Sequence, residues 1–233
     1  MKVKKLPGFV RNPLLVAFFQ SRPGRIVSNW ILQGMLYMNP VEIVYKLSLD
    51  VLFMVGWWVI LMQPSTAAGW LLCMFLAHTT NWISNCQPIA MCRHFDWGSN
   101  DPRHFIEYIE GLERRVHGRS YIAAVASYGG LSKGSYKPTS DIDIRFVLTG
   151  GPISRLRAAH YCFIERLRAA VHRFPLDLYA FDLDELQRKM CVDEPPVVFD
   201  DSRGLLASVY PKTVPFGEFR AQFRRDILCE TQS

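Results

Sequence analysis

One segment constrains the fold of this chain more than any other: Ser127-Tyr-Gly-Gly-Leu-Ser-Lys-Gly-Ser-Tyr-Lys-Pro-Thr-Ser-Asp-Ile-Asp-Ile-Arg-Phe-Val147. A strand runs into the glycine pair Gly129 and Gly130, a short polar and basic turn follows, and a second strand opens on Asp141 and Asp143. Side chains alternate along a strand, so positions i and i+2 share one face. The two carboxylates therefore look one way, while Ile142 and Ile144 look into the core. Adjacent carboxylates on a rigid face repel each other. A divalent cation relieves that cost, and hard oxygen ligands suit magnesium. Glycines let backbone amides approach a bulky anion, as phosphate-cradling loops do. Together these features describe a site for a metal-bound triphosphate.

The 233 residues have room for one compact domain and an appendage. Charge divides them unevenly. Residues 1–100 hold eight Lys/Arg and three Asp/Glu, whereas residues 101–233 hold nineteen and eighteen. A sparse, basic front half and a nearly neutral second half favour membrane association. Nucleic-acid binding would want dense Lys/Arg patches, and none stands out, so no nucleic-acid partner is expected. The six cysteines show no repeated spacing, which fits free thiols in a reducing compartment. Cys86, Cys92 and His94 lack the fourth ligand and the spacing of a zinc site.

Two apolar runs dominate the front half, residues 44–62 and 67–84, joined by the uncharged Gln63-Pro64-Ser65-Thr66. Each is near the roughly 20 residues needed to cross a bilayer core. Basic residues lie outside both ends: Lys2, Lys4, Lys5, Arg11, Arg22 and Arg25 before, Arg93 and Arg103 after. The positive-inside rule then gives an α-helical membrane hairpin with both termini cytoplasmic. Lys46, Asp50 and His78 interrupt the runs, and intramembrane charge is costly unless paired. A re-entrant hairpin would tolerate them better than a spanning one. Lys46 and Asp50 are spaced i,i+4 and are expected to pair. Residues 8–38 hold shorter apolar patches broken by prolines, suited to interfacial helices.

From Ser99 onward the pattern is that of a soluble domain, giving a division at 1–98 and 99–233. Ser99 or Asn100 caps a helix whose apolar face is Phe105, Tyr108, Ile109, Leu112 and Val116, and Gly118 stops it. Strands are expected at 121–127, 141–148 and 175–181. Between the last two, residues 154–173 form a helix with Leu156, Ala159, Cys162, Phe163, Leu167 and Val171 inward and Arg155, Arg157, Arg166 and Arg168 outward. The order predicts an α/β fold, a mixed sheet flanked by helices. Asp177 sits within the third strand between apolar neighbours. Asp182, Asp184 and Glu185 compete as a third acid but fall where helix-start acids are expected.

Residues 127–147 resemble the signature of the DNA polymerase β-type nucleotidyltransferase superfamily, especially its minimal, kanamycin-nucleotidyltransferase-like members. Tyr128-Gly129-Gly130, the Lys133-Gly134 step, and Ser140-Asp141-Ile-Asp143-Ile after ten intervening residues carry the resemblance, which extends over roughly 100–210. Many members have Ser where this chain has Gly130. The resemblance implies a metal-dependent nucleotidyltransferase that moves a nucleoside monophosphate from an NTP such as ATP or CTP to a hydroxyl or phosphate acceptor. Asp141, Asp143 and Asp177 would be the catalytic and metal-binding residues for two Mg2+ ions, with Mn2+ as a substitute. Gly129, Gly130, Lys133 and Ser140 would bind the nucleotide. With the hairpin, the expected setting is the cytoplasmic face of the cytoplasmic membrane, with a lipid-linked or glycan precursor as acceptor. A tethered stress- or antibiotic-modifying enzyme, and a nucleotide-binding regulatory module acting on a membrane protein, are the alternatives.

Overall fold

In the computed structural model, residues 13–93, 95, 97–131, 136–139, 141–190 and 194–229 are described. Prolines and polar caps set where the front helices begin. Helix α1 (Pro13–Gln20) leads to α2 (Arg22–Leu32), whose N-cap Ser21 accepts from the Gly24 amide. A short 3-10 turn (Met35–Tyr37) precedes α3 (Pro40–Ile60), capped by Asn39, which accepts from the Glu42 amide at 2.9 Å. Thr66 caps α4 (Ala67–Ser84) in the same way through Gly69, and α5 (Gln87–Arg93) follows. A side-chain acceptor at the N-cap satisfies an amide that the helix itself leaves orphaned.

Helices α3 and α4 pack as antiparallel neighbours. Trp58 stacks on Trp70 with ring centroids 6.0 Å apart, and Trp57 Nε1 donates to Thr80 Oγ1 at 2.9 Å. Nearer the other end, Asn81 donates to Asp50 Oδ1 at 2.9 Å and to the Lys46 carbonyl at 3.0 Å. Among the described residues only α3 is long and apolar enough to cross a membrane. The expected Lys46–Asp50 pair does not form. Asp50 instead meets His78 Nδ1 at 3.2 Å and Asn81. Both residues turn into the helix–helix seam, where α4 supplies nearer donors than the next turn of α3 does. Lys46 is 2% exposed and its Nζ has no hydrogen-bond partner among the described residues.

The second half alternates helices and strands: α6 (Pro102–Val116), β1 (Ile122–Tyr128), β2 (Ile142–Leu148), α7 (Pro152–Val171), β3 (Leu176–Phe181), α8 (Leu183–Lys189), β4 (Val197–Asp200), α9 (Leu205–Val209), β5 (Val214–Pro215) and α10 (Phe216–Asp226). The strands form a mixed sheet ordered β3-β2-β1-β4-β5. β1 is antiparallel to β2 and β4, whereas β2–β3 and β4–β5 are parallel. The expected α/β architecture is therefore the observed one. Asp101, directly ahead of Pro102, caps α6 by accepting from His104 at 2.9 Å, so the cap falls on neither Ser99 nor Asn100. One face of the sheet packs on α6, α7 and α10 through Ile144, Phe146, Phe105, Ile109, Phe174 and Phe223. The other carries Tyr128, Val147, Tyr179 and Phe181 against Leu186 of α8 and Leu206 of α9.

The front helices close the β3 edge. Asn39 Nδ2 donates to the Ala180 carbonyl at 3.0 Å, and Arg166 Nε donates to the Leu178 carbonyl at 3.1 Å. Glu42 of α3 pairs with that same guanidinium, and both side chains are buried. An edge strand's unpaired carbonyls are thus satisfied by side chains instead of by another strand. This contact also shifts the buried face of α7. Ala159 and Cys162 lie inward as expected, but Leu156 and Val171 are 50% and 73% exposed and Arg166 is 3% exposed. A helix covered by the sheet on one side and α3 on another has a buried band rotated from the one its apolar pattern suggests.

Replacing one partner of a buried ion pair strands the other charge, at roughly 3–5 kcal/mol. Glu42→Gln should lower the unfolding free energy by that amount, read as a fall in the urea denaturation midpoint at an unchanged slope. A loss below about 1 kcal/mol would mean that the pair does not hold the helices to the sheet.

Candidate functional site

Register brings the expected acids together. In the parallel β2–β3 ladder Asp143 stands directly opposite Asp177, and across the antiparallel β1–β2 ladder it stands opposite Tyr128, the residue before Gly129. Ile142 and Ile144 are buried at 1% and 0% exposure on the α6 side, so Asp143 faces the other way, with Asp177 beside it. Asp141 precedes β2 by one residue, close enough that its charge acts on Asp143. Three acids are thus gathered near the end of β1.

At their centre lies a residue that the carboxylate pattern did not single out. Arg145 Nη2 is 3.1 Å from Asp143 Oδ1 and 3.1 Å from Asp177 Oδ2. Its Nη1 donates to the carbonyls of Ile144 and Asp177, each at 2.8 Å. The guanidinium also lies over the Tyr179 ring, 5.1 Å from its centroid, a favourable cation–π placement. Arg145 is only 7% exposed. The signal for it was present: position 145 follows 141 and 143 at the same two-residue spacing, so it shares their face.

Burial raises the Asp143 carboxyl well above the usual carboxylate range, and the charge and hydrogen bond of Asp177 push the same way, as does Asp141 more weakly. Arg145 opposes them. One guanidinium does not fully offset two acids withdrawn from water, so the pair retains a proton more readily than isolated acids would.

Gly129 is required at its position for two reasons. Its φ of +76° lies in the left-handed region that disfavours a Cβ, and a Cβ there would stand 2.8 Å from Asp143 Oδ2. The turn therefore comes as near to Asp143 as backbone can. Gly130 follows it as an exposed turn residue. Lys133 and Ser140 lie outside the described residues, as does His94. Asp182 is the N-cap residue of α8 and pairs with Arg155 at 3.0 Å, and Asp184 and Glu185 occupy the first turn of that helix. They stand at the helix start that their positions predict, and Asp177 is the acid in register with Asp143.

The donor chemistry suits a hard divalent ion: paired carboxylates, partly desolvated, beside a glycine turn. Among the described residues, however, no three acidic, His or Cys side chains are arranged as a ready-made metal cage. Arg145 takes one oxygen of each paired acid, while the second oxygen of Asp143 lies toward Gly129. A metal would therefore share these carboxylates with Arg145. A small cavity lined by Leu131, Tyr136, Phe219 and Phe223 opens elsewhere, beside α10. Among the described residues Cys73, Cys86, Cys92, Cys162 and Cys229 are free thiols. No protein-family model, curated protein or solved structure matches the chain.

Two measurements probe this cluster. Arg145→Gln leaves two acids facing each other and should cost on the order of 3 kcal/mol in chelator, the low end for a buried pair because both acids remain partly solvated. Added Mg2+ should restore part of that loss, whereas an unchanged unfolding curve would show that Arg145 does not hold the acids. The raised Asp143 value also makes the native state bind more protons than the unfolded one over that window. Stability from this group is complete below the usual carboxylate range and falls as pH climbs through the raised value. In Asp143→Asn that downward slope should disappear, as read by urea denaturation across a pH series.

Proposed function

We propose that this protein is a membrane-anchored, metal-dependent nucleotidyltransferase of the DNA polymerase β type. The observation that carries the reading is the register of Asp143 with Asp177 beside Gly129, with Asp141 leading into the same strand. That constellation is the one the sequence resemblance requires: two acids of an Asp-x-Asp strand, a third on the following parallel strand, and a glycine turn at their head.

Asp141, Asp143 and Asp177 would hold Mg2+, or Mn2+ in its place, and the bound ion would neutralise phosphate charge and lower the pKa of an attacking hydroxyl. Gly129 and Gly130 offer backbone N–H groups to the phosphates, and Lys133 adds a positive charge to the same loop. Asp177 orients the acceptor hydroxyl or takes its proton as the bond to phosphorus forms and pyrophosphate leaves. Arg145 fixes the relative orientation of Asp143 and Asp177, so the acids are set before any nucleotide arrives. That is the kind of preorganisation transfer chemistry exploits.

The largely apolar helix pair α3–α4 would anchor the domain at the cytoplasmic face of the membrane, which directs the search for an acceptor to lipid-linked or glycan precursors. A second reading is favoured by Arg145 itself. A site whose acids already hold a cation could bind nucleotide without turning it over and act as a regulatory module on a membrane partner.

Pyrophosphate release separates the two. The full-length protein with Mg2+, each NTP in turn and membrane lipid extract should release pyrophosphate, and Asp143→Asn should reduce the rate roughly a hundredfold or more. Nucleotide binding with no release under any of these conditions would reject the enzyme and leave the regulatory module.

A further inference from the structure

From Val51 to Cys92 the sequence contains no Lys, Arg, Asp or Glu. Side-chain contacts from the first turns of α3 tie it to α7: Glu42 to Arg166, Tyr45 to His160 at 2.7 Å, and Tyr45 against Phe163. Past Asp50, the side-chain partners of Trp57 and Trp58 lie on α4. Beyond Asp50 the pair is covered on one side of α4 by Trp30 of α2, and among the described residues its other flanks pack only helix against helix. On this part Leu52, Val55, Val59, Leu71, Met74 and Phe75 are each more than half exposed. The polar groups of the helix–helix seam are turned inward, with Asp50 held by His78 and Asn81, and the Trp57 N–H held by Thr80. The helical flanks of this surface can enter hydrocarbon with their seam groups bonded, whereas the loop at residues 63–66 carries exposed polar side chains that set a cost on depth.

Length decides how far it enters. Val51–Ile60 rises about 15 Å at 1.5 Å per residue, half of the roughly 30 Å hydrocarbon core. Deeper insertion would draw Glu42, Lys46 and the arginine-bearing α7 into hydrocarbon, where charge is expensive. The base of the pair carries its own marker of the membrane surface. Helix α2 lies against α4 there, with Trp30 packed on Phe75 and His78 and Trp82 bonded to Asn29. Val27 and Ile31 of α2 are exposed, and its charged residues, Arg22 and Arg25, are both basic. An amphipathic helix with tryptophan beside it and only positive charge suits the headgroup layer of an anionic leaflet.

We propose that the tip of the α3–α4 pair enters a single leaflet of an anionic bilayer, with α2 lying in the headgroup layer, so that the chain is monotopic instead of membrane-spanning. The proposal rests on the membrane-anchored reading and gives it a depth and a lipid charge.

The test uses the full chain carrying Ser65→Cys in the loop at the tip, bound to phosphatidylglycerol-containing vesicles. A membrane-impermeant maleimide is applied and read on the peptide containing residue 65, with the exposed native Cys229 as the outside control. Position 65 should be protected on intact vesicles, remain protected when a pore-forming toxin opens the lumen, and react once detergent dissolves the bilayer. Reaction on opening the lumen would mean that the tip crosses to the far side, and reaction on intact vesicles that it stays in water. Either outcome overturns the proposal. Arg22→Gln combined with Arg25→Gln should weaken binding to these vesicles roughly thirtyfold. No loss would remove α2 from the headgroup layer. A chain that never co-floats with vesicles would sink both the insertion and the membrane anchor, whereas catalysis is judged separately by pyrophosphate release.

Discussion

Closure of the β3 edge is the interaction on which the rest of the structure depends. β3 carries Asp177 and is the outermost strand on its side of the sheet. Its outward carbonyls at Leu178 and Ala180 are taken by Arg166 and Asn39, and Glu42 neutralises the arginine that does this. One polar junction therefore finishes the sheet, fixes the strand beside Asp143, and attaches the apolar helices. A buried ion pair is weak evidence for net stability. Here its consequence is positional: α3 cannot shift along α7 without uncovering an edge of the sheet.

The same economy marks the acidic cluster. Parallel pairing gives Asp143 and Asp177 a fixed lateral relation that loops could not supply, and Arg145 sits between them at equal distance from each. The glycine at 129 is the complementary feature, because only a residue without a Cβ lets the turn approach Asp143 so closely. Charge, register and backbone conformation converge on a few cubic ångströms of one sheet face. The opposite face is an ordinary aromatic core built from Phe105, Phe146 and Phe174.

Much of this was legible in the chain because it is written in local period and punctuation. The strands around Val125, Ile144 and Leu178 and the glycine turn all follow from residues within a few positions of one another, whereas α3 opens at Pro40, ahead of the apolar run expected from residue 44. Asp177 as partner to Asp143 was named only through the family resemblance, and the parallel β2–β3 register places the two side by side. What was not legible depends on partners distant in sequence. The pairing of Asp50 with His78, instead of Lys46, required knowing which faces of α3 and α4 meet. The burial of Arg166 required knowing that Glu42, more than a hundred residues earlier, would cover it. α7 shows the general case: its apolar period reports one packing surface, and a helix with two has a phase that period alone misplaces. Arg145 is the exception, since its spacing from Asp143 was readable and only its charge drew attention away from it.

Arg145 also bears on what the acidic cluster needs in order to fold. Where ligands have no counter-charge of their own, as in zinc fingers, the polypeptide waits for its metal before it can fold, and chelators denature it. Here the chain brings its own cation, the Arg145 guanidinium, so the acids gain a counter-charge as the chain folds. On the proposed metal-dependent reading, a divalent ion would have to share these carboxylates with the guanidinium, and its affinity would depend on how readily that group yields. A fold built this way would keep its acids in place whatever the supply of divalent ions.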